Sequence, residues 1–219
     1  MGMIVALHAA DEHTLGAYRA GPEDAARGLV VVQEIFGVNH HMRQVCDRFA
    51  ALGFAVVCPA LFDRVEREVE LGYGPEDVKI GRALREQVPE AGTLADIGAA
   101  AAALPEACAI VGYCWGGTVA WWGATRTDFF RAAVGWYGGG IYAARDDAPR
   151  CPVQLHFGEA DSGIPMDHVR AIQAAHLGVE IHTYPGAGHG FGCDERPTFD
   201  PAANALAKER TLAFLQAHL

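Results

Sequence analysis

The chain has 219 residues, 51% of them hydrophobic and 20% charged, and carries a net charge of −10 at pH 7. This length and composition are typical of one globular α/β domain, so a single domain over residues 1–219 is predicted. The acidic balance disfavours binding to nucleic acid or to an anionic membrane, and no apolar run reaches the roughly 18 residues of a membrane span. No basic segment precedes the short apolar stretch at the start, which predicts a strand there rather than a signal peptide.

The predicted elements alternate between short apolar runs and segments with helical spacing. Strands are predicted at 3–10, 13–19, 29–35, 54–59, 107–112, 131–138, 152–158 and 179–185. Helices are predicted at 40–52, 76–87, 93–104, 115–125, 165–177 and 201–218, and the charged segment 61–75 is predicted to be an irregular surface excursion. This alternation predicts an α/β fold with a mostly parallel sheet and helices on both faces, in which a ligand lies beyond the carboxyl ends of the strands.

Six cysteines are spread along the chain without a C-x-x-C pair. They are Cys46, Cys58, Cys108, Cys114, Cys151 and Cys193. The wide spacing argues against a zinc knuckle, a dithiol redox motif and a dense disulfide scaffold. We therefore expect a reduced, cytoplasmic protein.

A cysteine elbow is predicted where Gly112-Tyr113-Cys114-Trp115-Gly116 joins a strand to a helix. The G-x-C-x-G pattern is typical of a nucleophile elbow, with sulfur in place of the usual oxygen. The glycines allow the strand and the helix to approach each other, and a helix N-terminus favours a thiolate. The Trp115 N–H is the candidate for one oxyanion donor. The alternative is an inert buried cysteine, and the flanking glycines favour the catalytic interpretation.

Two loops supply candidate partners for Cys114. Asp161 follows the strand at 152–158, and His189 lies in the glycine-rich loop after the last strand, in the order nucleophile, acid, histidine. In this hypothesis Cys114 attacks a carbonyl carbon, His189 moves the proton and Asp161 orients the imidazole. Glu159 competes for the role of the acid. Asp161 also suits a turn or a helix cap, and His189 a plain turn.

Glu34 is a second unusual residue, because it follows a buried strand and a carboxylate there is costly to bury without a partner. Either a salt bridge to an arginine or a direct contact with the thiol would satisfy it. The same loop is where a second oxyanion N–H is expected, and Ile35 is the candidate. Two histidines next to this loop, His40 and His41, begin a predicted helix and are expected to face solvent or cap it.

Six segments together resemble the dienelactone hydrolase family. They are QEIFGVN (33–39), CPALF (58–62), GYCWGG (112–117), GEAD (158–161), GAGHGF (186–191) and ERTLAFL (209–215). The resemblance implies an α/β-hydrolase fold, a triad of Cys114, Asp161 and His189, and oxyanion donors at Ile35 and Trp115. It also implies that Glu34 takes the thiol proton when substrate binds, which keeps the cysteine of the unliganded enzyme largely unreactive.

The resemblance further implies a cofactor-free enzyme, often monomeric, that hydrolyses the enol-lactone dienelactone to maleylacetate in the degradation of chlorinated aromatic compounds. In the family two arginines hold the substrate carboxylate. Here Cys193 stands at one of these positions, with Arg196 three residues further on, and Lys79 or Arg82 stands near the other. A lysine lacks the bidentate fork of an arginine. The candidate substrate-binding residues are Lys79, Arg82 and Tyr113.

Three functions follow from these residues. The first is a thiol-dependent hydrolase of small esters or enol-lactones, as a monomer or small homo-oligomer. The second is an esterase or thioesterase for uncharged substrates, since the two arginine positions are altered. The third is a catalytically silent binding protein on the same fold.

Overall fold

A computed structural model describes residues 2–219. The chain divides into two compact units, one ending at Ile110 and the other running from Val111 to Leu219. Because the chain divides in this way, the single domain over residues 1–219 stays a prediction. Across the described residues, none of the helices combines the length and the apolar character needed to span a bilayer.

The first unit holds four complete strands in the order β1-β2-β4-β3. Their bounds are Met3–His8 for β1, Thr14–Ala20 for β2, Gly28–Val32 for β3 and Ala55–Pro59 for β4. β1 pairs antiparallel with β2, β2 pairs antiparallel with β4, and β3 pairs parallel with β4. Every residue of β3 and β4 is buried, which explains their unbroken apolar sequences.

Three α-helices and a 3-10 helix complete this unit. They are α1 (His40–Ala51), α2 (Pro75–Gln87), α3 (Glu90–Ala102) and the 3-10 helix Leu61–Arg64. The prediction of a surface excursion over 61–75 is wrong at its start, because Leu61 and Phe62 are buried. Arg64 also reaches inward and donates from Nε to Asp96 Oδ2 over 2.7 Å, which ties the 3-10 helix to α3.

The prediction for the two histidines at the start of α1 is half wrong. His40 is exposed, but His41 is only 1% exposed, and the cap is Asn39, whose side chain accepts a hydrogen bond from the Met42 N–H. His41 lies one helical turn before Val45 and therefore shares the buried face of α1. The hydrophobic spacing of the helix thus determines the burial of this polar side chain.

The second unit contains parallel strands and three helices. β5 (Cys108–Tyr113) runs across the boundary between the units and is followed by β6 (Ala132–Trp136), β7 (Val153–Gly158) and β8 (Glu180–Tyr184). β6 pairs parallel with β7, and β7 with β8. The helices are α4 (Trp115–Arg126), α5 (Met166–Ala175) and α6 (Pro201–His218). Since parallel strands end at the same edge of a sheet, the segments that follow β6, β7 and β8 begin close together.

A buried polar network holds β7, β8 and α6 together behind that edge. His156 of β7 is fully buried, its Nδ1 lies 2.8 Å from the Tyr184 hydroxyl, and its Nε2 lies 2.9 Å from Gln154 Oε1 and 3.1 Å from Thr211 Oγ1. Burial lowers the pKa of His156 well below its usual value, so the ring is neutral at pH 7. His156 therefore packs inside the strand as a structural residue.

Candidate active site

Cys114 occupies a strained turn between β5 and α4. It is the N-cap of α4 and has a backbone φ of 56° and ψ of −116°. A left-handed φ is uncommon for a residue with a side chain and costs about 1–3 kcal/mol, so it persists only where the surroundings hold it. The Cys114 N–H donates to the carbonyl oxygen of Trp136 over 2.9 Å, and its own carbonyl accepts from the Gly117 N–H over 3.0 Å.

Two glycines make this turn possible. A Cβ on Gly112 would collide with the carbonyl oxygen of Gly116, and a Cβ on Gly117 would lie 2.6 Å from the carbonyl oxygen of Trp136. The start of α4 therefore packs directly on the end of β5 and on β6, with no room for side chains between the backbones. Gly112 and Gly117 of the G-x-C-x-G-G sequence are thus required by the close packing around Cys114.

Asp161 lies in the turn after β7 and is 4% exposed. Its Oδ1 accepts a hydrogen bond from the Gly163 N–H over 2.8 Å, and its backbone carbonyl accepts from the Ile164 N–H over 3.2 Å. These bonds fix the carboxylate and leave Oδ2 directed at His189. The competing acid, Glu159, is exposed and instead accepts from the Thr183 hydroxyl over 2.8 Å.

His189 joins Asp161 to Cys114. Its Nδ1 lies 2.7 Å from Asp161 Oδ2, and its Nε2 lies 3.1 Å from Cys114 Sγ. Asp161 Oδ2 accepts a hydrogen bond from the Nδ1–H of His189, and the second ring nitrogen faces the sulfur. The side chain of His189 is 31% exposed, whereas that of Asp161 is 1% exposed, so the line of hydrogen bonds runs from the interior toward solvent.

The electrostatics of this line favour a charged imidazole. Burial disfavours the imidazolium, but the negative charge at Cys114 and the hydrogen bond to Asp161 outweigh it and raise the pKa of His189 to about 10. Burial likewise acts to raise the pKa of Asp161, but His189 and the Gly163 N–H lower it below the usual value. At pH 7 the arrangement therefore places an imidazolium between the Asp161 carboxylate and the Cys114 sulfur.

Other cysteines lie in surroundings that keep them protonated. Burial raises the pKa of the Cys108 thiol to about 12 and that of Cys151 to about 11. Cys46 is fully buried, and burial raises its pKa well above the usual value. Because the thiolate is the nucleophilic form, these three are poor nucleophiles at neutral pH.

The loop that carries His189 is tied to the loop that carries Asp161. The Ala160 N–H donates to the carbonyl oxygen of Ala187 over 2.9 Å, and a Cβ on Gly158 would collide with the same carbonyl. Beyond His189, Gly190 has a φ of 76°, and the guanidinium of Arg196 covers its open side, because a Cβ there would lie 2.5 Å from Nη1. A hydrogen bond and a close backbone contact thus join the two loops ahead of His189.

Of the remaining predicted site residues, Trp115 and Tyr113 lie in the second unit beside Cys114. Trp115 is the first residue of α4 and is 6% exposed. Tyr113 is 3% exposed, and its ring centroid lies 5.3 Å from that of Trp136 and 6.3 Å from that of Tyr137. Contact of Tyr113 with a substrate stays a prediction, since so little of its side chain is exposed.

Glu34 and Ile35 lie in the first unit, just after β3. Glu34 is 1% exposed, as its place after a buried strand requires. Gly81 of α2 packs on the next residue, because a Cβ on Gly81 would collide with the carbonyl oxygen of Ile35. The loop after β3 is therefore held by α2. The roles of Glu34 in proton transfer and of Ile35 as an oxyanion donor stay predictions.

Lys79 and Arg82 also belong to the first unit, on the exposed surface of α2. Lys79 Nζ pairs with Glu76 Oε1 over 2.6 Å, and both side chains are more than two-thirds exposed. At about 100° per residue, Lys79 lies roughly 200° around the helix from Gly81, the residue that faces Ile35. Lys79 thus points away from the loop after β3, and substrate binding by either residue stays a prediction.

One residue beside His189 was missed by the sequence reasoning. Tyr137 is fully buried, and its ring centroid lies 5.2 Å from that of His189 at 62°. The available signal was an aromatic residue followed by three glycines directly after β6, at the edge where ligands bind. Within residues 2–219, no group of three or more His, Cys, Asp or Glu side chains is arranged to hold a metal ion.

The chain is similar to known proteins over most of its length. The family model of the dienelactone hydrolase family matches residues 15–219. A protein of Azospirillum brasilense named "Putative carboxymethylenebutenolidase" is 34% identical over 228 residues, covering 98% of each chain. A protein of the same name from Synechocystis sp. is 32% identical over 212 residues, covering 87% of this chain and 86% of the other.

A solved structure gives the same result for the fold. The crystal structure of a "Putative Dienelactone Hydrolase" from Klebsiella pneumoniae has a TM-score of 0.84 and 30% identity, covering 98% of this chain and 99% of the other. These matches confirm the predicted α/β-hydrolase fold with a mostly parallel sheet and the predicted class of enzyme, a carboxylic ester hydrolase. The chain therefore belongs to the dienelactone hydrolase family.

Proposed function

We propose that this protein hydrolyses small carboxylic esters or enol-lactones, with Cys114 as the nucleophile, His189 as the acid and base, and Asp161 as the group that orients the imidazole. The observation that supports this proposal most strongly is the unbroken line from Cys114 Sγ through both nitrogens of His189 to Asp161 Oδ2. A nucleophile, a base and an orienting acid at these distances are the requirements of covalent acyl transfer.

In the first half of the reaction, the Cys114 thiolate attacks the carbonyl carbon of the ester. The C–S bond forms, the carbonyl oxygen becomes an oxyanion, and collapse of this intermediate breaks the C–O bond to the leaving group. The imidazolium of His189 gives its proton to the leaving oxygen. The products at this stage are an alcohol, or the enol end of an opened lactone, and a thioester on Cys114.

In the second half, water cleaves the thioester. The imidazole, neutral after the first proton transfer, takes a proton from the attacking water, and the C–S bond then breaks. The acid product leaves, and sulfur returns to the thiolate beside the imidazolium. Asp161 holds the Nδ1 proton throughout and balances the positive charge of the ring.

Two further roles come from the family resemblance and belong to the same proposal. The N–H groups of Trp115 and Ile35 would stabilise the oxyanion, at about 3 kcal/mol for each donor. Glu34 would take the thiol proton when substrate binds. Because the Cys114 sulfur already lies 3.1 Å from His189 Nε2, Glu34→Gln tests the role of Glu34 separately from that of the Cys114–His189 pair.

A second candidate function is hydrolysis of uncharged esters or thioesters. Cys193 is fully buried, and it stands where the family pattern has a substrate-binding arginine. Lys79, near the other such position, is exposed and paired with Glu76. These two observations favour a substrate without a carboxylate at those points. In either case we infer one cytoplasmic domain that acts as a monomer or small homo-oligomer.

The test is a substrate panel of an anionic enol-lactone, its methyl ester, short p-nitrophenyl esters and a simple thioester, run on wild type and Cys114→Ala. We expect hydrolysis by the wild type and none above background by the variant. A preference for the anionic lactone over its methyl ester supports the first function, and the reverse order supports the second. Equal hydrolysis by wild type and Cys114→Ala would exclude both.

A further inference from the structure

Tyr137 is held in an unusual conformation at the end of β6. Among residues 2–219, positive φ occurs at four non-glycine residues, and two of these, Glu12 and Glu68, are exposed. The other two are Cys114, with a φ of 56°, and Tyr137, with a φ of 39°. Backbone strain at a buried, bulky side chain is uncommon and concentrates at functional sites. The strained backbone at Tyr137 therefore points to a functional role for this residue.

The backbone and ring of Tyr137 are fixed from several sides. Its N–H donates to the carbonyl oxygen of His156 over 2.8 Å, and the residue is fully buried. Its ring centroid lies 5.4 Å from that of Phe191 at 72° and 6.3 Å from that of Trp136 at 89°. A Cβ on Gly192 would lie 3.1 Å from the Tyr137 hydroxyl and 2.9 Å from the Trp136 ring. The loop that follows His189 thus closes directly onto Tyr137.

His189 needs a support of this kind. Its loop contains three glycines, and Gly186 and Gly190 both have a φ of 76°, so few side chains of the loop restrain it. The two hydrogen bonds of the imidazole lie in the plane of its ring. These two bonds alone do not prevent the ring from tilting out of the line between Asp161 and Cys114. The Tyr137 ring, 5.2 Å away at 62°, lies against the imidazole and limits this tilt.

We propose that Tyr137 is a positioning residue for His189, holding the imidazole so that Nε2 stays on the Cys114 sulfur. This inference rests on the proposed function, in which His189 moves the proton. The aromatic ring of Tyr137, rather than its hydroxyl group, has this role, because the ring contacts the imidazole. A ring that tilts away loses alignment with both partners, and small errors of alignment cost up to about 100-fold in rate.

Two substitutions separate the ring from the hydroxyl. Tyr137→Leu keeps the backbone strain and most of the buried apolar volume but removes the ring, whereas Tyr137→Phe removes only the hydroxyl. We expect kcat to fall about 30-fold in Tyr137→Leu with KM within about twofold, and kcat to stay within about threefold in Tyr137→Phe. Phe214→Leu is the matched control, since it removes another buried ring of the same unit, one that contacts His218.

A second readout follows the imidazole itself. The groups that face His189 are Cys114, Asp161 and Tyr137, and Arg196 covers the neighbouring Gly190. A looser imidazole interacts less with Cys114 and Asp161, so its NMR titration midpoint falls in Tyr137→Leu and stays at the wild-type value in Phe214→Leu. If Tyr137→Leu does not fold, Gly192→Ala, which displaces the loop from Tyr137, is expected to lower the midpoint in the same way.

The titration also separates failure of this inference from failure of the proposed function. Absence of Cys114-dependent hydrolysis in the wild type would remove the proposed function, while the NMR midpoint would still report whether Tyr137 holds the imidazole. An unchanged midpoint in Tyr137→Leu, or equal losses of kcat in Tyr137→Leu and Tyr137→Phe, would overturn the role of the ring.

Discussion

Replacing Cys114 with alanine is expected to lower kcat/KM for the best ester by about 10⁴-fold or more, because no other group then forms the covalent intermediate. The change removes one partly exposed sulfur atom and keeps the same backbone strain. We therefore expect the melting temperature to change by only a few degrees, within about 1 kcal/mol of stability. Steady-state kinetics and thermal unfolding of the same preparation measure both effects.

Two further variants make this result specific. Cys151 lies in the same unit and is also partly exposed. Because burial raises its pKa to about 11, Cys151 stays a thiol at neutral pH, and Cys151→Ala is expected to retain full activity. Cys114→Ser is expected to retain weak activity at best, because a hydroxyl is far less acidic than a thiol and is not ionised beside the same imidazole. Near-normal turnover by Cys114→Ala, or loss of turnover in Cys151→Ala, would contradict the assignment of the nucleophile.

Replacing Asp161 with asparagine is expected to lower kcat by about 10³-fold, because the amide no longer balances the charge of the imidazole or selects the Nδ1 proton. The shape of the side chain is preserved, and the Gly163 N–H still has an acceptor. Glu159→Gln is the matched control, since Glu159 is the neighbouring acid that bonds to Thr183 instead of His189. Equal losses in Asp161→Asn and Glu159→Gln would contradict the role of Asp161.

The same variant predicts a change in pH dependence. The pKa of His189 is raised to about 10, so the imidazolium is complete at pH 6.5 and is lost as the pH rises through about 10. Burial lowers the pKa of His189, whereas Cys114 and Asp161 raise it. Asp161→Asn is therefore expected to move the loss of the imidazolium to lower pH, which NMR titration of the histidine ring measures. An unchanged midpoint would show that Asp161 does not stabilise the charge.

The sequence predicts that Cys114 lies between a strand and a helix, and the structure has β5 before it and α4 after it. Gly112 is required by its contact with the carbonyl oxygen of the nearby Gly116, and α6 (Pro201–His218) has the predicted bounds because Pro201 and the Asp200 cap mark its start. Asp161 follows β7 and His189 follows β8, and parallel strands end at one edge of a sheet. Features that depend on neighbouring residues can therefore be predicted from the sequence.

Other features depend on contacts between distant parts of the chain. Arg64 pairs with Asp96, 32 residues away, and no local pattern in the charged segment indicates this partner. Lys79 is predicted to bind substrate from its position in the sequence, but the direction of its side chain depends on Gly81 facing Ile35. The left-handed backbone at Tyr137 is likewise invisible in the sequence, because tyrosine carries no preference for that conformation. These three features depend on how distant parts of the chain pack together.

The most direct test of the triad is mass spectrometry of the protein quenched during turnover of a slowly hydrolysed ester. We predict a mass increase equal to the acyl group, located on the peptide that contains Cys114 and released by hydroxylamine, as a thioester requires. The adduct is expected to be absent from Cys114→Ala and to accumulate in Asp161→Asn if deacylation becomes the slower step. Turnover in which Cys114 is never acylated, or in which another residue carries the acyl group, would contradict the mechanism.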